Sequence, residues 1–155
     1  MKNICGTFLK ATLLWPEKVS TYLTWLAPLM ARLIVGEVFI VSGLGKLNNL
    51  EIVTGNFISW GIPLPHVLTP FVAGAEFVGG SLLVLGLLTR ISAGMLGVIM
   101  IVAIYSALWP QVNSIDTFFG FEEMAYLALF TWLAIAGAGK ISVDHWLLKN
   151  CRTSE

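Results

Sequence analysis

Four apolar stretches set the limits on how this chain can fold: Leu26 to Leu47, Val67 to Leu88, Ile91 to Trp109 and Met124 to Gly139. Each is close to the ~20 residues that a helix needs to cross a bilayer core; the fourth reaches that length only if it extends to about 122–140. Backbone in lipid has no water to bond with, so helices are the natural form. The runs are continuous and do not alternate, which argues against a barrel. A soluble domain of 155 residues could not hide a 57% hydrophobic composition, because its surface is large for its volume. Charged residues make up only 12%, against the ~25% of soluble domains. The expectation is an all-α integral membrane protein, a four-helix bundle. Disorder requires the opposite composition. Nine Lys and Arg balance nine Asp and Glu, so no basic stripe exists for nucleic acid.

Residues 1–25 are of another kind. Lys10, Glu17 and Lys18 interrupt Phe8, Leu9, Leu13, Leu14, Trp15, Tyr22 and Trp25. The pattern predicts an amphipathic segment lying in the headgroup region. A cleaved signal peptide fits less well, because Pro16 breaks the run and no small-residue cleavage pattern follows. The chain then divides into this segment, a four-span domain over 26–146 and a tail over 147–155. Trp60-Gly-Ile-Pro-Leu-Pro-His66 reads as a loop, Gly86-Leu-Leu-Thr-Arg90 as a tight turn, and Trp109 to Asp116 as a polar break. With four spans, every basic residue except Lys46 falls on one side: Lys2, Lys10, Lys18, Arg32, Arg90, Lys140, Lys149 and Arg152. The positive-inside rule puts that side, and both termini, in the cytoplasm.

Charges inside spans are costly, about 2.5–3.5 kcal/mol each at the bilayer centre on insertion scales. Arg32, Glu37, Lys46, Glu76 and Glu123 lie within or at the edges of the spans. Arg32, Gly36, Phe39, Gly43 and Lys46 follow helical steps and form one stripe, small in the middle and cationic at its ends. Glu37 flanks that stripe and needs a partner on another helix, or a proton. Ala75 and Gly79 beside Glu76 make a thin face that lets a helix approach with Glu76 turned inward. Glu123 shares a face with Tyr126 and Phe130. Two readings stand for Glu37 and Glu76: a buried structural network with Lys46 or Arg32, or a contact for protons, ions or quinone. Arg32 and Arg90 also suit anchoring at the cytoplasmic ends, Lys46 snorkelling, and Glu123 a plain interfacial place. The two cysteines, Cys5 and Cys151, stand apart near the two ends, and His66 and His145 are isolated, so no metal site is expected.

Several motifs resemble the DoxX family. They are Arg32-Leu-Ile-Val-Gly36, Ser42-Gly-Leu-Gly-Lys46, Phe57-x-x-x-Gly61-x-Pro63, Ala75-Glu-Phe-Val-Gly-Gly80 with Gly86 to Arg90, and Gly137-Ala-Gly-Lys-Ile-Ser-Val-Asp144. The likeness covers roughly residues 29–146. It implies a four-helix protein of the bacterial inner membrane. It also implies quinone-linked redox chemistry, since founding members serve as a small subunit of a thiosulfate:quinone oxidoreductase. In such a protein Glu37, Lys46 and Glu76 would converge inside the bundle, with Asp144 capping or salt-bridging at the cytoplasmic end.

Three functions compete. In a redox subunit that contacts quinone, Glu76, Glu37 and Lys46 polarise a quinone oxygen or relay its protons, with Trp60 or Phe57 as a cover. No covalently bound cofactor is expected. A non-catalytic anchor or assembly subunit would bring a protein partner or a second copy. A small proton or cation transporter would use the same carboxylates and would have to oligomerise to make room for a pore.

Overall fold

The computed structural model describes residues 21–152. The amphipathic segment read over 1–25 therefore lies outside the described residues except for its last five, of which 21–23 are helical. Lys2, Cys5, Lys10 and Lys18 lie outside them as well.

All regular structure among the described residues is helical. Helix α1 spans Leu26–Asn48, α2 Leu50–Ser59, α3 Pro65–Leu85 and α4 Thr89–Ala103. The last continues through a π-helical turn, Ile104–Leu108, and a 3-10 turn, Trp109–Gln111. Then come α5, Ile115–Phe119, α6, Glu122–Ala136, and α7, Val143–Arg152. Three helices are long and apolar enough to cross a membrane: Leu26–Asn48, Pro65–Leu85 and Thr89–Gln111. The fourth apolar stretch gives a shorter helix. Gly137, at φ 85°, turns the chain out of α6 after 15 residues, or about 22 Å at ~1.5 Å per residue.

The first connection carries a helix ahead of the loop expected from Trp60 on, which the structure leaves without regular structure over 60–64. Residues 50–59 form α2, which ends in a Schellman motif with Gly61 in the left-handed region: Ile62 N–H donates to Phe57 O and Gly61 N–H to Ile58 O. The same device ends α3, where Gly86 at φ 69° lets Leu87 N–H reach Leu82 O and Gly86 N–H reach Leu83 O.

The core is drawn from four helices. Val35 and Phe39 come from α1, Leu83 from α3, Ala93, Leu96 and Met100 from α4, and Phe130 and Leu133 from α6. Phe39 sits edge-on to Tyr126 and Phe130, with ring centroids 5.6 and 4.9 Å away. At the end of the bundle where α1 starts, Gly137 lies beside Arg90 and Gly139 beside Pro28, so that an added Cβ would come within 3.2 and 3.0 Å of them. Helix α6 thus runs antiparallel to α1 and α4.

The α1–α3 seam explains the small middle of the α1 stripe. A Cβ on Gly43 would lie 2.5 Å from Phe77 N, and one on Gly80 would lie 2.7 Å from Gly36 O. The backbones touch, as small residues allow where dispersion must replace the hydrophobic effect.

Candidate functional site

A cavity of about 660 Å³ lies in the half of the bundle where α1 ends and α3 begins. Its walls come from α1, α2, α3, the end of α4 and the start of α6. That volume suits a drug-sized organic molecule, whose sites run ~300–1,000 Å³. Most of the lining is apolar, with Phe39, Phe57, Trp60, Phe71, Leu68 and Met100 among it. Phe57 and Trp60 stack at 5.9 Å with a 37° tilt. The π-helical turn contributes Ser106, Ala107 and Leu108 to the wall. Such turns shift the register of a helix locally and are frequent at functional sites.

The polar part of the wall is an ion pair. Lys46, near the end of α1, reaches along the cavity to Glu76, halfway along α3, and bonds its Oε1. Ser42, one turn before Lys46, donates to Glu76 Oε2 at 2.9 Å. Glu76 is 1% exposed, while the Lys46 side chain remains 31% exposed. Both carboxylate oxygens are therefore occupied, and a charge this deep is tolerable only on those terms. The ammonium keeps N–H donors beyond the one spent on Glu76.

The cavity opens sideways. Phe71 on α3 and Val98 and Val102 on α4 line it and are also exposed on the flank of the bundle. An apolar molecule dissolved in lipid could enter through this seam between α3 and α4.

Of the residues singled out from sequence, Lys46 and Glu76 meet, and Glu123 and Trp60 join them in the lining. Glu123 is half-buried in the first turn of α6, beside Tyr126. Glu37 does not join them. It is exposed on the outer flank of α1, nine residues from Lys46, or about 180° around a helix at ~100° per residue. The expectation that it turns inward is corrected: the stripe that buries Gly36 and Gly43 points Glu37 the other way.

Arg32 is also elsewhere. It lies 14 residues before Lys46, roughly 21 Å along α1. Though only 1% exposed, it bonds among the described residues to backbone carbonyls alone: Nε to Pro28 O at 3.3 Å, Nη1 to Leu83 O at 3.4 Å, and Nη2 to Ile141 O. It ties α1, the end of α3 and the segment after α6 together. Asp144 completes this end. Its carboxylate accepts the N–H groups of Leu88, at 2.8 Å, and Thr89, at 3.0 Å, so it caps α4.

Phe57, read from sequence as a cover, lines the cavity from α2, whereas Ser42, the rest of the α2 wall, the π-helical turn and the lateral opening are not singled out as parts of a site from sequence. Only Ser42 carried a signal, its i, i+4 spacing to Lys46. Among the described residues, no group of three or more His, Cys, Asp or Glu could hold a metal ion.

Comparison with known proteins adds a family match. The family model described as DoxX matches residues 27–109. A protein named "Putative oxidoreductase CatD", from Bacillus subtilis (strain 168), is 33% identical over 123 residues, which is 78% of this chain and 87% of its own length. No solved structure matches significantly.

Proposed function

From the premise that this chain belongs to the DoxX family, we propose that it is a small membrane subunit of a quinone-linked redox system, with the cavity as the place where a quinone headgroup is held. The supporting observation is a largely apolar cavity, open to the flank of the bundle, with the hydrogen-bonded Lys46–Glu76–Ser42 cluster in its wall. A quinone is a flat apolar ring with carbonyl acceptors, and it dissolves in lipid. The Lys46 ammonium supplies a donor to such a carbonyl; Glu76 and Ser42 hold the lysine in place; Phe57 and Trp60 offer ring faces to the headgroup. The quinone itself supplies the electron-accepting chemistry when bound. The name of the Bacillus relative agrees with a redox role. On this reading the protein sits in the bacterial inner membrane with both termini in the cytoplasm.

Equilibrium binding of a short-chain benzoquinone to the purified protein tests the proposal. Saturable binding is expected, weakened at least tenfold in Lys46→Met, the loss expected when a hydrogen bond from a charged donor goes. No binding to the wild type, or equal binding to the variant, overturns it.

A second reading, an anchor or assembly subunit, is favoured by one observation. Glu37 stands exposed at mid-span among the outward-facing Leu33, Ile34 and Val41. A carboxylate there calls for a polar group from another helix, either of a partner protein or of a second copy. Loss of a co-purifying partner or of an oligomer in Glu37→Leu supports this reading. An unchanged assembly, or a monomer in the wild type, removes it.

A further inference from the structure

The cavity holds a second carboxylate with a different environment. Glu76 has both oxygens engaged, by Lys46 and Ser42. Glu123 lines the same cavity, and no residue among those described gives it a hydrogen bond or an ion pair. Its neighbour Tyr126 turns its hydroxyl to Glu122 instead, at a long 3.4 Å. The two carboxylates come from different helices, Glu76 from α3 and Glu123 from the first turn of α6, which each pack against α1 and α4.

An ionised carboxylate offers acceptors only, so what it binds must donate. Lys46 offers donors only, so what it binds must accept. A cationic ligand would meet the ammonium, and a strongly charged one would not pass the apolar seam lined by Phe71, Val98 and Val102. The match is a neutral aromatic molecule with an acceptor oxygen at one end and a hydroxyl at the other.

We propose that Glu123 is the second polar contact of this site, accepting a hydrogen bond from a ligand hydroxyl, so that the cavity favours the dihydroxy, reduced form of a quinone over the dione. This rests on the quinone reading given above and deepens it. The dione has two acceptors and can satisfy Lys46 but leaves Glu123 without a donor. The quinol satisfies both.

The test compares decylubiquinone with decylubiquinol, the latter under anaerobic reductant, on the full-length purified protein. Wild type is expected to bind the quinol more tightly. Glu123→Gln, which keeps the shape and removes the charge, is expected to weaken quinol binding about tenfold, as losing a charged acceptor does, and to leave the dione within twofold. Glu123→Asp is expected to recover part of the quinol preference. A merely structural Glu123 would move both ligands together; that result, or an unchanged quinol affinity in Glu123→Gln, overturns the inference while the quinone reading stands. If wild type binds neither form, the quinone reading fails and takes this one with it.

Discussion

The guanidinium of Arg32 occupies the place where a side chain on Gly86 would begin: a Cβ there would lie 1.8 Å from Nη1. One residue is in the first turns of α1 and the other caps α3, 54 positions later in the chain. Gly86 also needs its left-handed φ of 69° to close the Schellman motif. Together these make the end of the bundle where α1 starts and α3 stops a single fitted unit.

Gly86→Ala should therefore be among the most damaging small substitutions. The left-handed backbone alone costs an alanine ~1–2 kcal/mol, and a displaced Arg32 would leave buried polar groups unpaired for ~1–3 kcal/mol more. Thermal unfolding in detergent should show a Tm lowered by about 4 °C or more at ~2–4 °C per kcal/mol. Gly74→Ala, with open space at its Cβ position, serves as the comparison and should melt near wild type.

Gly43 and Gly45 lie two residues apart on α1 and should respond in opposite directions. A Cβ at 43 meets the backbone of Phe77 at 2.5 Å, whereas at 45 nothing stands within 4 Å. Gly43→Ala is expected to lower Tm by forcing α1 and α3 apart. Gly45→Ala is expected to hold or raise it, since alanine gains up to ~1 kcal/mol over glycine within a helix. Similar losses for both would remove the backbone-contact account of the seam.

Asp144→Ala should cost about 0.5–2 kcal/mol, as losing a helix cap does. Leu88 has a positive φ of 50°, and the carboxylate pins its N–H and that of Thr89. Hydrogen exchange localises the effect: faster exchange at the start of α4, with its second half unchanged. Faster exchange throughout α4 would point to a wider role.

Lys46→Met leaves Glu76 buried without its counter-ion. Breaking a fully buried pair costs ~3–5 kcal/mol; because Lys46 is 31% exposed, about 2 kcal/mol is the discounted expectation. The double variant Lys46→Met with Glu76→Gln should regain at least half of the lost Tm, since no bare charge remains. A double variant no more stable than the single one would mean that the pair is not what stabilises this place.

Glu37→Gln should leave quinone affinity within twofold, while Glu76→Gln should weaken it. The two carboxylates read alike in sequence, and their opposite orientations on the bundle are what separates them. Equal sensitivity at both positions would place the ligand somewhere other than the cavity.

Periodicity carried the architecture well where burial is one-sided. The step pattern from Arg32 to Lys46 put Gly36 and Gly43 on the face that meets α3, and Lys46 on the face that reaches Glu76. It also held the angle that turns Glu37 away from Lys46, but expected inward charge outweighed it. Arg32 was harder, because its partners are the carbonyls of Pro28, Leu83 and Ile141. Every residue has a carbonyl, so such partners leave no mark in residue types. Helix α2 went unread because Leu50 to Ser59 is short, and the Gly and Pro residues after it suggested a loop. The cavity depends on how five helices are placed around it, and a π-helical turn has no composition of its own to announce it.

The glycine-to-backbone seam between α1 and α3 has a mechanical corollary. Two helices that touch main chain to main chain cannot slide by a fraction of a turn without collision, so they act as a post. Helix α4 meets α3 differently, through the flexible ends of Met95 and Leu96 at Gly79, and it runs on into the π-helical turn. It is the leaf hung on that post. Any widening for a guest molecule is then expected between α3 and α4: spin labels straddling α1 and α3 would keep their spacing, and a pair straddling α3 and α4 would register the swing.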